Sequence, residues 1–210
     1  KGYQIKYASD IIPSDEKIEA EILYNKYDIF RNLFLYYFLA GLLFFIFIIL
    51  NIFSENKLIH KIMKYIFIIF RSSIVILFIA HTLGLIARWY ISGHAPWGDA
   101  YESMIYVAWA TMGIGLLFIK KSDLTLASTS FVTSMILMIA HWNWMDPSIA
   151  NLVPVLNSYW LMIHVSVIVG SYGPFALSMI LGFVSLFLIV FITTSNLSLI
   201  HISEPTRQAE

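Results

Sequence analysis

Three of the six histidines stand where an imidazole is costly to leave idle. His81 and His164 lie inside long apolar runs, and His94 lies in a short loop between two such runs. An ionisable side chain in an apolar stretch carries a functional hypothesis by default. Its competitor is an imidazole hydrogen-bonded to a neighbouring helix, and both readings stay open at this point. Imidazole is a natural ligand for haem iron, so two histidines on different helices could sandwich a b-type haem. The chain has no cysteine, which excludes disulfides, thiolate metal centres, iron–sulfur clusters and a cysteine nucleophile. Around the histidines sit Trp97, Glu102, Trp144 and Trp160. Trp89, Tyr90 and Trp97 read either as an interfacial aromatic belt or as a platform for a flat ligand, with His94 or Glu102 beside it.

These residues need rigid carriers, and composition says which. Of 210 residues 59% are hydrophobic and 12% charged, against roughly 45–50% and ~25% in soluble domains. Thirteen basic residues balance thirteen acidic ones, which removes the case for a nucleic-acid surface. The expected fold is an all-α polytopic membrane protein, since ~20 apolar residues cross the ~30 Å hydrocarbon layer as helix. Five spans are expected: Leu33 to Phe53, Arg71 to Ile91 after an amphipathic stretch from His60 to Phe70, Ser103 to Ile119, Leu124 to Trp142, and Tyr159 to Thr193. Lys57, Lys61, Lys64, Arg71, Lys120 and Lys121 fall on one side of these spans, and Arg88 alone falls in the loops on the other. The positive-inside rule then puts the lysine-rich side in the cytoplasm and the N-terminus and Trp-bearing loops outside.

The last span is longer than a bilayer requires, so His164 is expected at or above the outer edge, with Trp160 one turn before it on the same face. Pro174 is expected to kink the helix below. His81, ten residues from both Arg71 and Ile91, is expected near mid-membrane, well below His164, which makes a shared haem awkward. His60 reads as solvated.

Residues 1–31 are polar and mixed in charge, without a signal-peptide pattern, and read as the end of a preceding extracytoplasmic region. Residues 32–70 link it to a membrane domain over 71–194. The tail, 195–210, leaves the membrane pattern. Its run from Ser195 to Gln208 resembles translated sequencing-library adapter, with a genuine cytoplasmic tail as the alternative.

Gly93-His94-Ala95-Pro96, then Tyr101-Glu102-Ser103-Met104-Ile105-Tyr106, then Val153-Pro154-Val155-Leu156-Asn157-Ser158-Tyr159-Trp160-Leu161-Met162-Ile163-His164-Val165 resemble CcsA-type membrane proteins. These are the haem-handling half of the system II cytochrome c synthase, often fused to CcsB as CcsBA. The resemblance covers about Ile74 to Val190, and Tyr24 to Arg31 with span one resembles the end of a CcsB-type portion. It implies delivery of haem b, as substrate, to the outer face of a bacterial inner membrane. There the synthase (a haem lyase) forms thioether bonds to the CxxCH motif of apocytochrome c. In that family the histidine of Trp-Leu-Met-x-His is an axial ligand of the external haem, a role that falls on His164. Trp160, Trp97, Glu102 and Trp144 would line the pocket, and no catalytic side chain is assigned within this stretch.

The chain departs from the family pattern in three respects. The Trp-rich W-G-x-x-W-x-W-D signature is missing: Trp142-Asn143-Trp144-Met145-Asp146 imitates its end with an extra Met, ahead of His164 rather than after it. The second external histidine and the later intramembrane one are missing too. The alternatives are a membrane haem transporter without covalent chemistry and a b-type haem electron carrier using His81 and His164.

Overall fold

The computed structural model describes residues 14–54, 56–96, 99–142, 147–149 and 159–191. These form six α-helices: α1 Asp15–Tyr27, α2 Ile29–Phe53, α3 Lys57–Ser92, α4 Ala100–Leu117, α5 Asp123–His141 and α6 Tyr159–Phe191. The last five each overlap one of the five expected spans, α3 beginning 14 residues before the span expected there. Among the described residues, three stretches are long and apolar enough to cross a membrane: Asp15–Ile52, Leu58–Ser92 and Asp123–His141. The all-helical membrane architecture is thus the one observed. The expected amphipathic stretch from His60 to Phe70 is the opening part of the unbroken 36-residue α3.

Local chemistry explains where helices start and stop. Ser14, Asn56, Asp99 and Ser122 each accept a hydrogen bond from a first-turn backbone N–H, satisfying donors the helix cannot use itself. Gly93 closes α3 at φ +75, with its N–H bonded to the Trp89 carbonyl at 2.9 Å. That left-handed conformation is a position glycine takes without cost. Asp28, at φ 39, makes the joint between α1 and α2, and Asn32 donates from Nδ2 to the Tyr27 carbonyl at 2.8 Å across it.

The helices α2 and α3 form a hairpin. Phe44 stacks on Phe70 with centroids 5.3 Å apart and meets Phe67 edge-on, while Asn51 and His60 lie 2.8 Å apart near the turn. The central helix is α5, which packs on α2, α4 and α6. Its buried run of Ser128, Thr129, Ser130, Thr133 and Ser134 suits that place, because small residues let helix backbones approach closely in a bilayer. Their hydroxyls are not orphaned: Ser130 donates to the Tyr37 carbonyl at 3.0 Å, and Thr129 to the Thr125 carbonyl at 2.6 Å. A Cβ at Gly41 of α2 would stand 2.8 Å from the Phe131 backbone nitrogen and 3.0 Å from the Ala127 carbonyl oxygen. Backbone cannot step aside, so Gly41→Val is expected to cost about 1–3 kcal/mol by overpacking. Gly182→Ala, with nothing within 4 Å, is expected to stay within ~0.5 kcal/mol. Thermal unfolding of the two variants in detergent checks this pair.

Two ionic clasps mark the ends of the bundle. At one, Arg71 binds Asp123 through two bonds of 2.7 and 2.8 Å, tying α3 to the start of α5. At the other, Arg88 binds Glu102, tying α3 to the start of α4. Seventeen residues separate the two arginines, about 26 Å at 1.5 Å per residue, close to the ~30 Å hydrocarbon layer. Between them α3 turns Ile76, Ile79, Leu83 and Ile86 outward, as a lipid-facing surface would.

Candidate haem-facing end of the bundle

Of the expected site residues that the structure describes, Glu102 lies at the Arg88 end in contact with Arg88, while His164 and Trp160 lie on α6. The Arg88 side chain is fully buried, and its Nε donates to Glu102 Oε1 at 2.9 Å. Its terminal nitrogens donate to the carbonyls of Pro147 at 3.0 Å and Ser148 at 3.3 Å, and one lies 3.7 Å from Asp99 Oδ2. The guanidinium covers the Tyr101 ring at 5.0 Å. A charge withdrawn from water needs such complete pairing. Asp99 also caps α4, accepting from the Glu102 N–H at 2.6 Å. Burial, the largest influence, raises its carboxyl above the usual range.

The Gly-His-x-Pro…Tyr-Glu-Ser run therefore builds a corner: Gly93 ends α3, Pro96 is buried, Asp99 starts α4, and Tyr101 and Glu102 receive Arg88. His94 is half-buried in it. Its Nδ1 lies 3.1 Å from the Ala95 carbonyl and 3.8 Å from Glu102 Oε2. A carbonyl only accepts, so Nδ1 carries a proton and donates to Ala95. Glu102 is expected from sequence as pocket lining; it lies within the corner, 1% exposed. Trp97 and Trp144 lie outside the described residues.

His164 stands on a different surface. Trp160, Ile163, His164 and Val167 lie along one face of α6 and border open space beside it. His164 and Trp160 are both exposed. The height of His164 follows from the packing of α6 against α4. Gly170 faces Tyr106 and Ala110, and Gly173 abuts Thr111, so the two helices run parallel. Six residues back along both, His164 is level with about Glu102. The ligand candidate and the Arg88 corner share one layer, and α6 continues unbroken through Pro174.

His81 is placed otherwise. It is fully buried, its Nε2 donating to the Ile105 carbonyl at 3.1 Å, with Phe30 and Tyr37 of α2 against the ring at 5.4 and 6.1 Å. On α3 it stands ten residues from Arg71 and seven from Arg88, near the middle of the distance between the two clasps, and its bond to Ile105 puts it about 5–11 Å below His164. Enclosure as well as depth separates the two histidines, since rings from α2 occupy the space a macrocycle would need. His81→Ala in the intact protein is expected to lower stability by about 2 kcal/mol and to leave the spectrum of an outer-face haem unchanged. Absorbance and thermal unfolding of that variant read the two effects separately.

Arg88 is the residue that sequence reading undervalued. Its visible clue was being the one lysine or arginine in the loops at its end of the bundle, although the positive-inside rule explains a lone arginine without giving it work.

Comparison with known proteins supplies the family. The cytochrome C assembly protein model matches residues 97–208. Protein NrfI of Wolinella succinogenes is 40% identical over 188 residues, which is 90% of this chain and 20% of that protein. The cytochrome c biogenesis protein CcsA of Prochlorococcus marinus strain MIT 9515 is 31% identical over 70% of this chain and 48% of its own length. CcsA of Lotus japonicus is 33% identical over 49% of this chain and 33% of its own. The chain thus spans between about a fifth and a half of these relatives. With the family model covering more than half of its residues, the chain belongs to the cytochrome c assembly protein family, of the CcsA type.

Proposed function

We propose that this chain, within a longer synthase, holds haem b at the outer face of a bacterial inner membrane for covalent attachment to apocytochrome c. The observation that carries the reading is the placement of His164. It is an exposed imidazole on a helix, on the same face as Trp160 and open to the space beside it, level with the polar corner at one end of the bundle. A helix-borne imidazole fixes the direction of an axial bond, and an adjacent indole gives a macrocycle an edge to rest on. The residues present fit one wall of such a site, and the remaining walls belong to other parts of the intact protein, the CcsB portion included.

The chemistry needs positioning more than acid–base power. Each thiol S–H of CxxCH adds across a haem vinyl: sulfur bonds one vinyl carbon, hydrogen ends on the other, and no external oxidant is consumed. His164 holds the iron so that both vinyls face the incoming thiols. The CxxCH histidine then replaces an axial ligand as product leaves.

In this reading five spans cross the membrane with the N-terminus outside, the Arg71 clasp is cytoplasmic, and the Arg88 corner is periplasmic. Cysteines introduced singly at Ser92 and Lys121 are expected to differ: only the first reacts with an impermeant maleimide added outside. Equal external labelling at both contradicts the orientation.

Activity is tested by co-expressing the intact protein with a CxxCH apocytochrome in a bacterium stripped of its own maturation genes. The expected product is a cytochrome whose haem resists acid–acetone extraction. Haem delivered to the outer face but wholly extractable would favour a transporter without covalent chemistry.

A further inference from the structure

The bundle satisfies one nitrogen of His81 and leaves the other unmet. Nε2 lies 3.1 Å from the Ile105 carbonyl, and a carbonyl only accepts, so Nε2 carries the proton. In the neutral ring Nδ1 is then a bare acceptor. Among the described residues it has no hydrogen-bond partner. The residue is 0% exposed, on the face of α3 that also buries Ile74 and Leu85, so neither bulk water nor a lipid headgroup completes it.

Tyr37 of α2 has the complementary need. It too is 0% exposed, and its hydroxyl has no partner among the described residues. Its ring centroid lies 6.1 Å from that of His81, and its own carbonyl is held from another side by Ser130 of α5. A phenolic O–H donates and a bare imidazole nitrogen accepts. The two nitrogens of an imidazole point away from each other, so Nε2 aimed at α4 turns Nδ1 off that helix. Two unmet polar groups on neighbouring buried rings are uncommon in native interiors, and in the middle of a bilayer each is costly.

We propose that one buried water joins Tyr37 to His81. It accepts from the hydroxyl and donates to Nδ1, which gives it the two polar partners an internal water needs. The two groups do not bond each other directly, and water is the smallest molecule that can accept from one and donate to the other. A polar chain then runs from Tyr37 through the water and His81 to the Ile105 carbonyl, tying α2, α3 and α4 together in the middle of the bundle. With Nε2 on a carbonyl and Nδ1 on water, the ring has no lone pair to offer iron. His81 is thereby set apart from His164 by its bonding as well as by its enclosure. The inference stands on this geometry alone and does not depend on the haem-ligand reading of His164.

The test uses the intact protein in lipid nanodiscs. A density map fine enough to show ordered waters is expected to place one peak within hydrogen-bond distance of both Tyr37 Oη and His81 Nδ1. Solid-state NMR of protein carrying isotope-labelled histidine reads the bonding state of Nδ1 independently. The resonances of His81 are identified by their absence from His81→Ala. The parent is expected to show a hydrogen-bonded Nδ1, and Tyr37→Phe to move that resonance toward the position of an unbonded nitrogen while Nε2 stays in place.

No density between the two groups, or direct contact of the hydroxyl with Nδ1, overturns the proposal. So does a parent Nδ1 already at the unbonded position, or one that Tyr37→Phe leaves unmoved. The map and the parent spectrum decide the matter even where Tyr37→Phe fails to accumulate.

Discussion

Cytochrome c maturation by the intact protein is expected to fall at least ~100-fold when His164 becomes glycine, the scale on which misplacement of a reacting group by ~1 Å already operates. Added imidazole is expected to restore part of it. The variant removes the side chain from an exposed helical face and leaves no buried gap. Its effect should therefore be confined to ligation. One glycine within a long helix costs only about 1 kcal/mol, too little to unfold it. Free imidazole fits the space vacated by its own ring and can occupy the open coordination position, though without the covalent tether that sets its direction. Rescue should be incomplete for that reason. Maturation is read as covalent haem on the substrate cytochrome across an imidazole titration.

The largest expected effect on stability belongs to Glu102. Its side chain is 1% exposed and its Arg88 partner 0%, so neither end of the pair can recover water when the other is removed. Glu102→Ala leaves a buried guanidinium with Asp99, 3.7 Å away, as its nearest carboxylate. The expected cost is about 3–5 kcal/mol, a large share of the 5–15 kcal/mol that holds a typical protein together. Glu102→Gln keeps a hydrogen-bond acceptor and is expected to cost about 1–3 kcal/mol. Thermal unfolding in detergent ranks the two variants against the parent. Parent-like stability in Glu102→Ala would mean that water reaches Arg88. The same argument places Glu102 in the scaffold of the site: its loss would weaken haem handling through the corner it holds, with no contact to the macrocycle required.

The spans were legible because their signal is local and strong. Uninterrupted runs such as Leu33 to Phe53 leave a chain few options in a bilayer, and α2 to α6 fall where those runs do. The helix α1 was not legible. Its sequence is polar, with no apolar stripe, and none of its residues is buried. Its definition comes from the Ser14 cap at one end and from contacts such as Lys17 over the Tyr90 ring at 5.7 Å, which no local pattern announces.

The site divides in the same way. His164 and Trp160 were visible as polar and aromatic residues on an apolar helix, one turn apart. The Arg88 corner was not, because its partners lie 14, 59 and 60 residues away. Such pairing is written only in the packed bundle. The depth of His81 was legible along its own helix, and its partner was not. Counting from span ends gives a position along one helix, whereas the bond to Ile105 shows how neighbouring helices slide past one another.

The absorbance spectrum of haem bound to the purified intact protein, with and without His164, tests the central claim most directly. If His164 is an axial ligand at the outer face, the parent shows a low-spin six-coordinate spectrum, and His164→Gly turns to a high-spin form that reverts as imidazole is added. A His164→Gly protein that keeps the parent's haem content and its low-spin spectrum, indifferent to imidazole, would contradict it.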